Sequence, residues 1–487
     1  MPRKIVNGWD ALIITLLIIF FIGGAIATFG ADSLAGATQV ALFFSAICTG
    51  LIGVKNGLSW DDIEDTIVAT VGRAVMPLII FLAVGCLIAG LMISGAVPTL
   101  LYYGLGMLSP TFFYPLACLL TAVVALCTGS SWTTAATIGV ALIGVAMGFD
   151  LSLPIAAGAI ISGAYFGDKM SPLSETTNLA SAIGGADLFV HIRHMIWVSG
   201  PSFVISLIAF FMIGLASELP ADLGDKIALM QTTLDQQFNL SLLNTLPIIA
   251  LLYMSYKQQP ALLAISAGVG LSVLVSFMTQ YELILRTITL LYGADGSMLM
   301  TLWKVIYDGF LIETGVSELD DLLSRGGMES MVFMVWLVLC SMMLSATLSA
   351  TGYIEYLLNK LRTIIRGTGS LIATTIGTSV TVNMLTGDQY LSLVLPGQMW
   401  KDEYEKRGLQ PENLTRTLED GGTITSPLVP WGACGVFMAG TLGVPTLEYL
   451  LFCFFCLLNP LIAIVYGIFN IRISYQEETA VSSPVSG

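Results

Sequence analysis

Apolar runs of bilayer-crossing length recur along the whole chain, and they constrain the fold more than any single motif does. A transmembrane helix needs about 20 apolar residues. Segments that fit are 9–29, 38–54, 74–96, 152–185, 188–217, 243–256, 259–279, 330–351, 413–444 and 446–471. The first, behind Arg3 and Lys4, has a longer apolar core than a signal peptide and reads as a retained span. Charged residues make up only 11% of the 487, against about a quarter in soluble domains. So few could not cover a water-facing surface. The sequence reads as an all-α polytopic membrane protein with about 10 transmembrane helices. A net charge of −14 offers no basic patch and argues against nucleic acid as a partner. The eight cysteines are scattered through apolar runs, without the histidine-paired spacing of a metal site. No cofactor is implied.

Two further regions, 110–149 and 368–408, each hold an apolar helix, a short polar tip and a second helix. The tips are "CTGSSWTT" (127–134) and "LTGDQYLS" (385–392). Cytoplasmic loops carry an excess of lysine and arginine. With Arg3 and Lys4 in the cytoplasm, Lys55, Arg73, Arg193, Lys257, Lys360, Arg366, Lys401 and Arg472 all follow there only if both regions are re-entrant hairpins. Segment 218–242 then becomes an external loop and 472–487 a polar cytoplasmic tail. The stretch 280–329 breaks the rule with Arg286, Lys304 and Arg325, and reads as interfacial amphipathic helices. The expected location is the cytoplasmic (inner) membrane, multi-pass, with both termini cytoplasmic.

The same order of features occurs twice. Setting Ser94 on Ser349 gives an offset of 255 (349 − 94). Thr128-Gly129 and Thr386-Gly387 stand 258 apart (386 − 128), and Ser171-Pro172-Leu173 and Ser426-Pro427-Leu428 stand 255 apart (426 − 171). The first unit would be 1–217, with scaffold helices in 9–54, the span 74–96, the hairpin 110–149 and a broken helix at 152–185. The second would be 243–471, with scaffold helices in 243–279, the segment 280–329, the hairpin 368–408 and a broken helix at 413–444. An odd number of spans per unit makes the repeats inverted, which is a plan of secondary transporters.

The broken helices carry the chemistry. "FGDKMSPLSETTNL" (166–179) is polar, charged and split by Pro172, directly after lipid-compatible helix. Irregular backbone at membrane depth is tolerated only where it lines a protein cavity. Pro427 and Pro430, with Gly421 and Gly422, repeat the break in the second unit. Bare carbonyls, hydroxyls and half-helix ends suit small ions. The tips add Thr128, Ser130, Ser131, Thr133, Asp388 and Ser392, with Thr378, Ser379, Thr381 and Asn383 upstream of the second. A charged side chain at the bilayer centre costs roughly 2.5–3.5 kcal/mol on insertion scales. Asp168, Glu175 and Asp388 must therefore be paired, protonated or cation-bound. A carboxylate that holds a proton or a sodium ion, but not both, is by itself an exchange mechanism.

Other polar residues have plainer readings. Lys169 is either the local partner of Asp168 or the partner of another carboxylate. Ser174, Thr177 and Thr137 suit bonds back to their own helices. Glu419 and Asp420 sit in the site or mark its cytoplasmic mouth, with Arg416 to neutralise them. His191 and His194 read as interfacial residues, and Trp132, Trp400 and Trp431 as packing or interface anchors.

At these residues the chain resembles the NhaC-type sodium/proton antiporter family, through "GAYFGDKMSPLSETTNLA", "TGDQYLSLVLPGQMW" and "TLEDGGTITSPLVPWGACG". The resemblance covers essentially the whole length. It implies inverted repeats, re-entrant hairpins, an elevator-type motion and a homodimer in lipid. Carried over by matching motif positions, it implies a sodium and proton site at Asp168, Ser171, Glu175, Thr176, Asn178, Asp388, Thr425 and Ser426. The residue reading adds Asn383, Thr128 and Ser130. The expected function is exchange of Na+ for H+ as transported cargo. The alternative is sodium-coupled movement of a small organic solute, such as a malate- or lactate-like carboxylate or an amine. An enzyme, an intramembrane aspartyl protease using Asp168 and Asp388, is disfavoured because "YFGD" and "LTGD" lack the expected Tyr-Asp and Gly-x-Gly-Asp contexts.

Overall fold

A computed structural model describes residues 6–217, 220–363 and 365–476. Arg3, Lys4 and most of the expected tail, 477–487, lie outside the described residues. Every named element is a helix. Among the described residues, eight helices are long and apolar enough to cross a membrane, or up to 10 if each of two bent pairs is one span. The chain is a polytopic helical membrane protein.

Six of the expected spans lie within such helices: Gly8–Phe29, Ala37–Lys55, Trp60–Ile93, Leu188–Ala216, Ala261–Thr279 and Glu329–Ala350. The other two are the arms of the first tip region, Pro110–Thr128 and Ser131–Gly148. Each arm is long enough to cross alone, so length does not decide whether the pair is re-entrant. The span read at 74–96 is the apolar end of a 34-residue helix that starts at a capping box formed by Ser59 and Asp62. At 1.5 Å per residue that helix is about 51 Å long, more than a bilayer core of about 30 Å. Its acidic first turns, with Asp61 and Asp62, therefore reach beyond the hydrocarbon. Segment 218–242, read as a loop, carries the helix Leu223–Gln237, which meets the next helix at 90°. The stretch 280–329 forms the short helices Tyr281–Tyr292, Met298–Asp308 and Ser317–Leu323.

Left-handed glycines recur at matching intervals. Gly95, Gly129 and Gly185 follow the ends of three helices of the first half, with φ of 76°, 69° and 82°. Gly352, Gly387 and Gly443 do the same in the second half, with φ of 73°, 63° and 72°. Only glycine takes this backbone without a Cβ penalty. The offsets are 257 (352 − 95), 258 (387 − 129) and 258 (443 − 185). The span pairing therefore shifts by two residues from the sequence alignment: Ser94 matches Thr351, since both cap their helices. The two breaks also differ in length. The first runs from Ser171 to Ser174 between the helices Leu153–Met170 and Glu175–Gly184. The second runs from Ile424 to Gly432, after the helix Pro411–Leu418 and its wide final turn Glu419–Thr423, and before Ala433–Leu442.

The first broken helix is clamped to the first tip region by small residues. Gly163 and Gly167 stand four apart on one face of Leu153–Met170. A Cβ on either would collide with the carbonyls of Cys118 and Ala122 on the facing arm. This is the small-xxx-small mode of close helix approach in membranes. Ser171 Oγ donates to the Leu126 carbonyl at 2.8 Å and extends the same seam to the break. Gly167→Val should therefore separate the tip from the break, at an overpacking cost of about 1–3 kcal/mol. Thermal unfolding of the purified protein in detergent should show the loss, and an unchanged midpoint would contradict this packing.

Candidate functional site

Each tip meets its own break. Asp168, one turn before Pro172, accepts two bonds on Oδ2 from Ser131, from its N–H at 3.0 Å and its hydroxyl at 2.7 Å. Ser131 opens the second arm, so the carboxylate sits at a helix N-terminus, where partial positive charge favours it. Ser130 caps that arm by accepting from the Thr133 N–H at 3.1 Å. Thr128 bonds only weakly, to Ala125 and Ser130 carbonyls at 3.5 Å. Thr177 Oγ1 donates across the break to the Lys169 carbonyl at 3.0 Å, which the interruption leaves without a helical partner.

In the second half Asn383 Nδ2 donates to the Gly422 carbonyl at 2.8 Å and lies 3.3 Å from Thr425 Oγ1. Ser426 Oγ lies 2.9 Å from Gln389 Oε1 and 2.7 Å from the Thr423 carbonyl. Asp388 accepts from the N–H groups of Tyr390 and Leu391 at 2.8 and 3.2 Å and so caps the second arm. The halves also cross over, because the Tyr390 hydroxyl donates to Glu175 Oε2 at 2.7 Å.

A cavity of ≈ 840 Å³ opens where these parts converge. Thr128, Ser130, Asp168, Glu175, Thr176, Asn178 and Asp388 line it, together with Arg73. Ser171, Asn383, Thr425 and Ser426 stand behind this lining and hold the breaks in place. Thr176 Oγ1 pairs with Ser174 Oγ at 3.1 Å. Asn178 is exposed and donates to the Pro172 and Ser174 carbonyls at 2.9 and 2.7 Å. The candidates thus separate into cavity-facing and supporting groups.

Beneath the cavity lies a charge network that bridges the halves. Lys169 pairs with Asp420, not with Asp168, and both side chains are 0% exposed. Asp420 Oδ1 also accepts from Asn459 Nδ2 at 2.6 Å, and its Oδ2 lies 3.9 Å from Arg416 Nε. Arg416 is buried and donates to the Arg472 carbonyl at 3.0 Å. Glu419 is 0% exposed and has no hydrogen-bond partner on either carboxyl oxygen among the described residues. Lys169 and Arg416 face Asp168, Glu419 and Asp420, so the cluster carries one negative charge in excess.

His191 and His194 are not interfacial. Both are buried on Leu188–Ala216, and His191 Nδ1 lies 2.7 Å from Thr415 Oγ1. Their helix packs against Pro411–Leu418, which removes them from the membrane surface. The tryptophans pack: Trp132 stacks on Phe437 at 4.3 Å, and Trp431 Nε1 donates to the Met384 carbonyl at 2.7 Å. Sequence reasoning missed Gln389, Tyr390 and Arg73 as site residues. The first two stand in the quoted tip beside Asp388, a signal that was available. Arg73 carried none beyond its charge.

Two converging broken helices around a polar cavity in an apolar helical bundle define a class, the polytopic membrane proteins that move small solutes. The comparisons narrow it. A model of the Na+/H+ antiporter family matches residues 163–471. The chain is 38% identical to the Na+/H+ antiporter NhaC of Alkalihalophilus pseudofirmus over 442 residues, 91% of this chain and 92% of the relative. It is 35% identical to the arginine/ornithine antiporter ArcD of Halobacterium salinarum over 96% of this chain and 93% of the relative. It is also 31% identical to the malate-2H+/Na+-lactate antiporter of Bacillus subtilis, over 92% and 93%. The chain belongs to the Na+/H+ antiporter family, as an antiporter of the NhaC type.

Removing one member of a buried ion pair strands the other, at about 3–5 kcal/mol. Lys169→Met and Asp420→Asn should each lower the thermal midpoint markedly. The double variant should lose much less than the sum of the two, because neither charge is left alone. Strict additivity would show that the pair does not couple the halves.

Proposed function

We propose that the protein exchanges Na+ for H+ across the cytoplasmic membrane by alternating access, with both cations competing for the one uncompensated negative charge of the buried carboxylate cluster. The observation that carries this reading is the position of Asp168. It faces the cavity, 7% exposed, where both tips and both breaks converge. Sodium would take oxygens from Asp168 and from tip hydroxyls such as Thr128 and Ser130, with Glu175, Thr176, Asn178 and Asp388 around it. Ser171, Asn383, Thr425 and Ser426 would fix the backbone behind it. Moving a net charge through the bilayer is costly. One bound cation, either Na+ or H+, neutralises the cluster, so a loaded carrier crosses and an empty one does not. That rule is obligatory exchange.

In this reading the two halves are inverted repeats whose tip regions re-enter the membrane. They would move as an elevator against a scaffold of 9–54 and 243–279, in a homodimer embedded in lipid. The matched left-handed glycines and the duplicated breaks support the repeat.

A second reading rests on the cavity. Its ≈ 840 Å³ falls in the range of organic-ligand sites, about 300–1,000 Å³, and is far more than a sodium ion needs. Arg73 on one side of the balance and Asp168, Glu175 and Asp388 on the other supply charges of both signs to its wall. The relatives named for malate and lactate, and for arginine and ornithine, make a carboxylate or an amine the solutes to try.

Proteoliposomes with an internal pH dye separate the readings. An outward sodium gradient should draw protons in with no organic solute present, and Asp168→Asn should reduce the signal to protein-free background. Proton movement only after malate, lactate, arginine or ornithine is added would favour the second reading. Competition also fixes the pH dependence. On the acid side, each unit fall in pH should raise the half-saturating sodium concentration by up to about tenfold, with the maximal rate unchanged. A sodium requirement independent of pH would exclude competition.

A further inference from the structure

Glu419 does not line the cavity, and among the described residues neither of its carboxyl oxygens has a hydrogen-bond partner. Asp420 beside it holds Lys169 and Asn459 on Oδ1, while its Oδ2 has only Arg416 Nε at 3.9 Å. Asp168 is held by Ser131 and opens to the cavity. Glu419 keeps both oxygens unpartnered, and so does Thr423 Oγ1, one turn further along the same face. Both are fully buried. They lie in a wide turn in which the Ile424 N–H bonds the Glu419 carbonyl at 3.2 Å, five residues back. Such turns inside helices recur at functional sites. They also leave the helix able to shift register.

A carboxylate buried without a partner is tolerated only when neutral. Asp168 can be reached by a hydrated cation from the cavity, whereas Glu419 can be reached only by a proton passed along buried polar groups. Building on the exchange reading above, we propose that the two cargoes ride on different carboxylates: sodium on Asp168 and the transported proton on Glu419. Lys169 connects them. It neighbours Asp168 in sequence and is paired to Asp420, which adjoins Glu419. When sodium adds a positive charge at Asp168, the ionised form of Glu419 is favoured and Glu419 releases its proton, while Lys169 stays paired to Asp420. Sodium thus expels the proton through charge balance, without touching it.

The charged and titratable groups around Glu419 are Asp168 and Lys169 from the first broken helix and Arg416 and Asp420 from its own. Tyr404 and Tyr466 stand beside Arg416, from the second arm of the second tip region and the helix Phe454–Ile468, and His191 and His194 on Leu188–Ala216 stand near Lys169 and Arg416. Helices Thr368–Thr386 and Phe454–Ile468 present neutral Ser379 and Asn459 to this region. Glu175 on Glu175–Gly184 is engaged by Tyr390. Thus no second unpartnered carboxylate competes with Glu419 for the role among the described residues.

The test uses the whole protein, with the rise in thermal midpoint on adding Na+ as the readout of sodium binding and sodium-driven proton movement in proteoliposomes as the readout of coupling. Glu419→Gln should keep the sodium-induced rise while the protons moved per sodium fall at least several-fold. Asp168→Asn should lose both. Glu419→Asp should keep proton coupling with a displaced pH profile. Wild-type proton coupling in Glu419→Gln would overturn the assignment, and so would loss of the sodium-induced rise with an unchanged midpoint in the absence of Na+. If Glu419→Gln does not fold, sodium-induced infrared difference spectra of wild type and Glu419→Asp decide. Sodium should remove a protonated-carboxyl C=O band whose frequency moves in Glu419→Asp, and a band unmoved by that substitution overturns the proposal. A wild type that moves no protons with sodium would instead sink the exchange reading itself.

Discussion

The contact on which the rest of the site depends is the buried ion pair between Lys169 and Asp420. Lys169 comes from the first broken helix and Asp420 from the second, 251 positions apart. Two charges removed from water repay their desolvation only with close geometry and further hydrogen bonds. Asn459 supplies one to Asp420, and Arg416 stands near as a second positive charge. The pair fixes the two breaks against each other, and the cavity is the space left in front of them. A displacement of either half would expose an unpaired charge to a low-dielectric interior, so the breaks are held to a few discrete arrangements.

Around this pair the tips act as lids on the breaks. Ser131 on Asp168, Asn383 on the Gly422 carbonyl and Gln389 on Ser426 each satisfy a polar group that the interrupted helices leave open. Backbone irregularity at membrane depth is affordable only with such partners. The same contacts place hydroxyls and a carboxylate on the cavity lining, so the bonds that make the breaks tolerable also build the proposed cation site.

Much of this was legible in the chain. The spans follow from apolar length, and the breaks from Pro172 and Pro427 in otherwise helical sequence. The proposed duplication rests on Thr-Gly and Ser-Pro-Leu in the chain and on matched glycines in the backbone, and the two alignments differ by two residues at Ser94. Residue identities set the first, whereas helix ends set the second, and Ser94 caps its helix as Thr351 does. Asp168 stood out in the chain because an acid in an apolar segment needs a reason, and it lines the cavity. Asp388 looked equivalent, but it spends one carboxyl oxygen capping the second arm at Tyr390 and Leu391. Nothing in "TGDQY" distinguishes a capping aspartate from a free one.

The sequence by itself determined the solvent, the helices and where they fail, because hydrophobic length and proline act locally. Only the tertiary structure decided which charges meet. Lys169 had two candidate partners and the chain left them even, since adjacency is offset by the about 100° between a lysine and its neighbour on a helix. Partner choice across 251 residues depends on how the halves dock, which no local pattern records. The same docking buries Glu419 without a hydrogen-bond partner while Asp420 beside it receives Lys169 and Asn459, and so sets apart two acids that stand side by side in the chain.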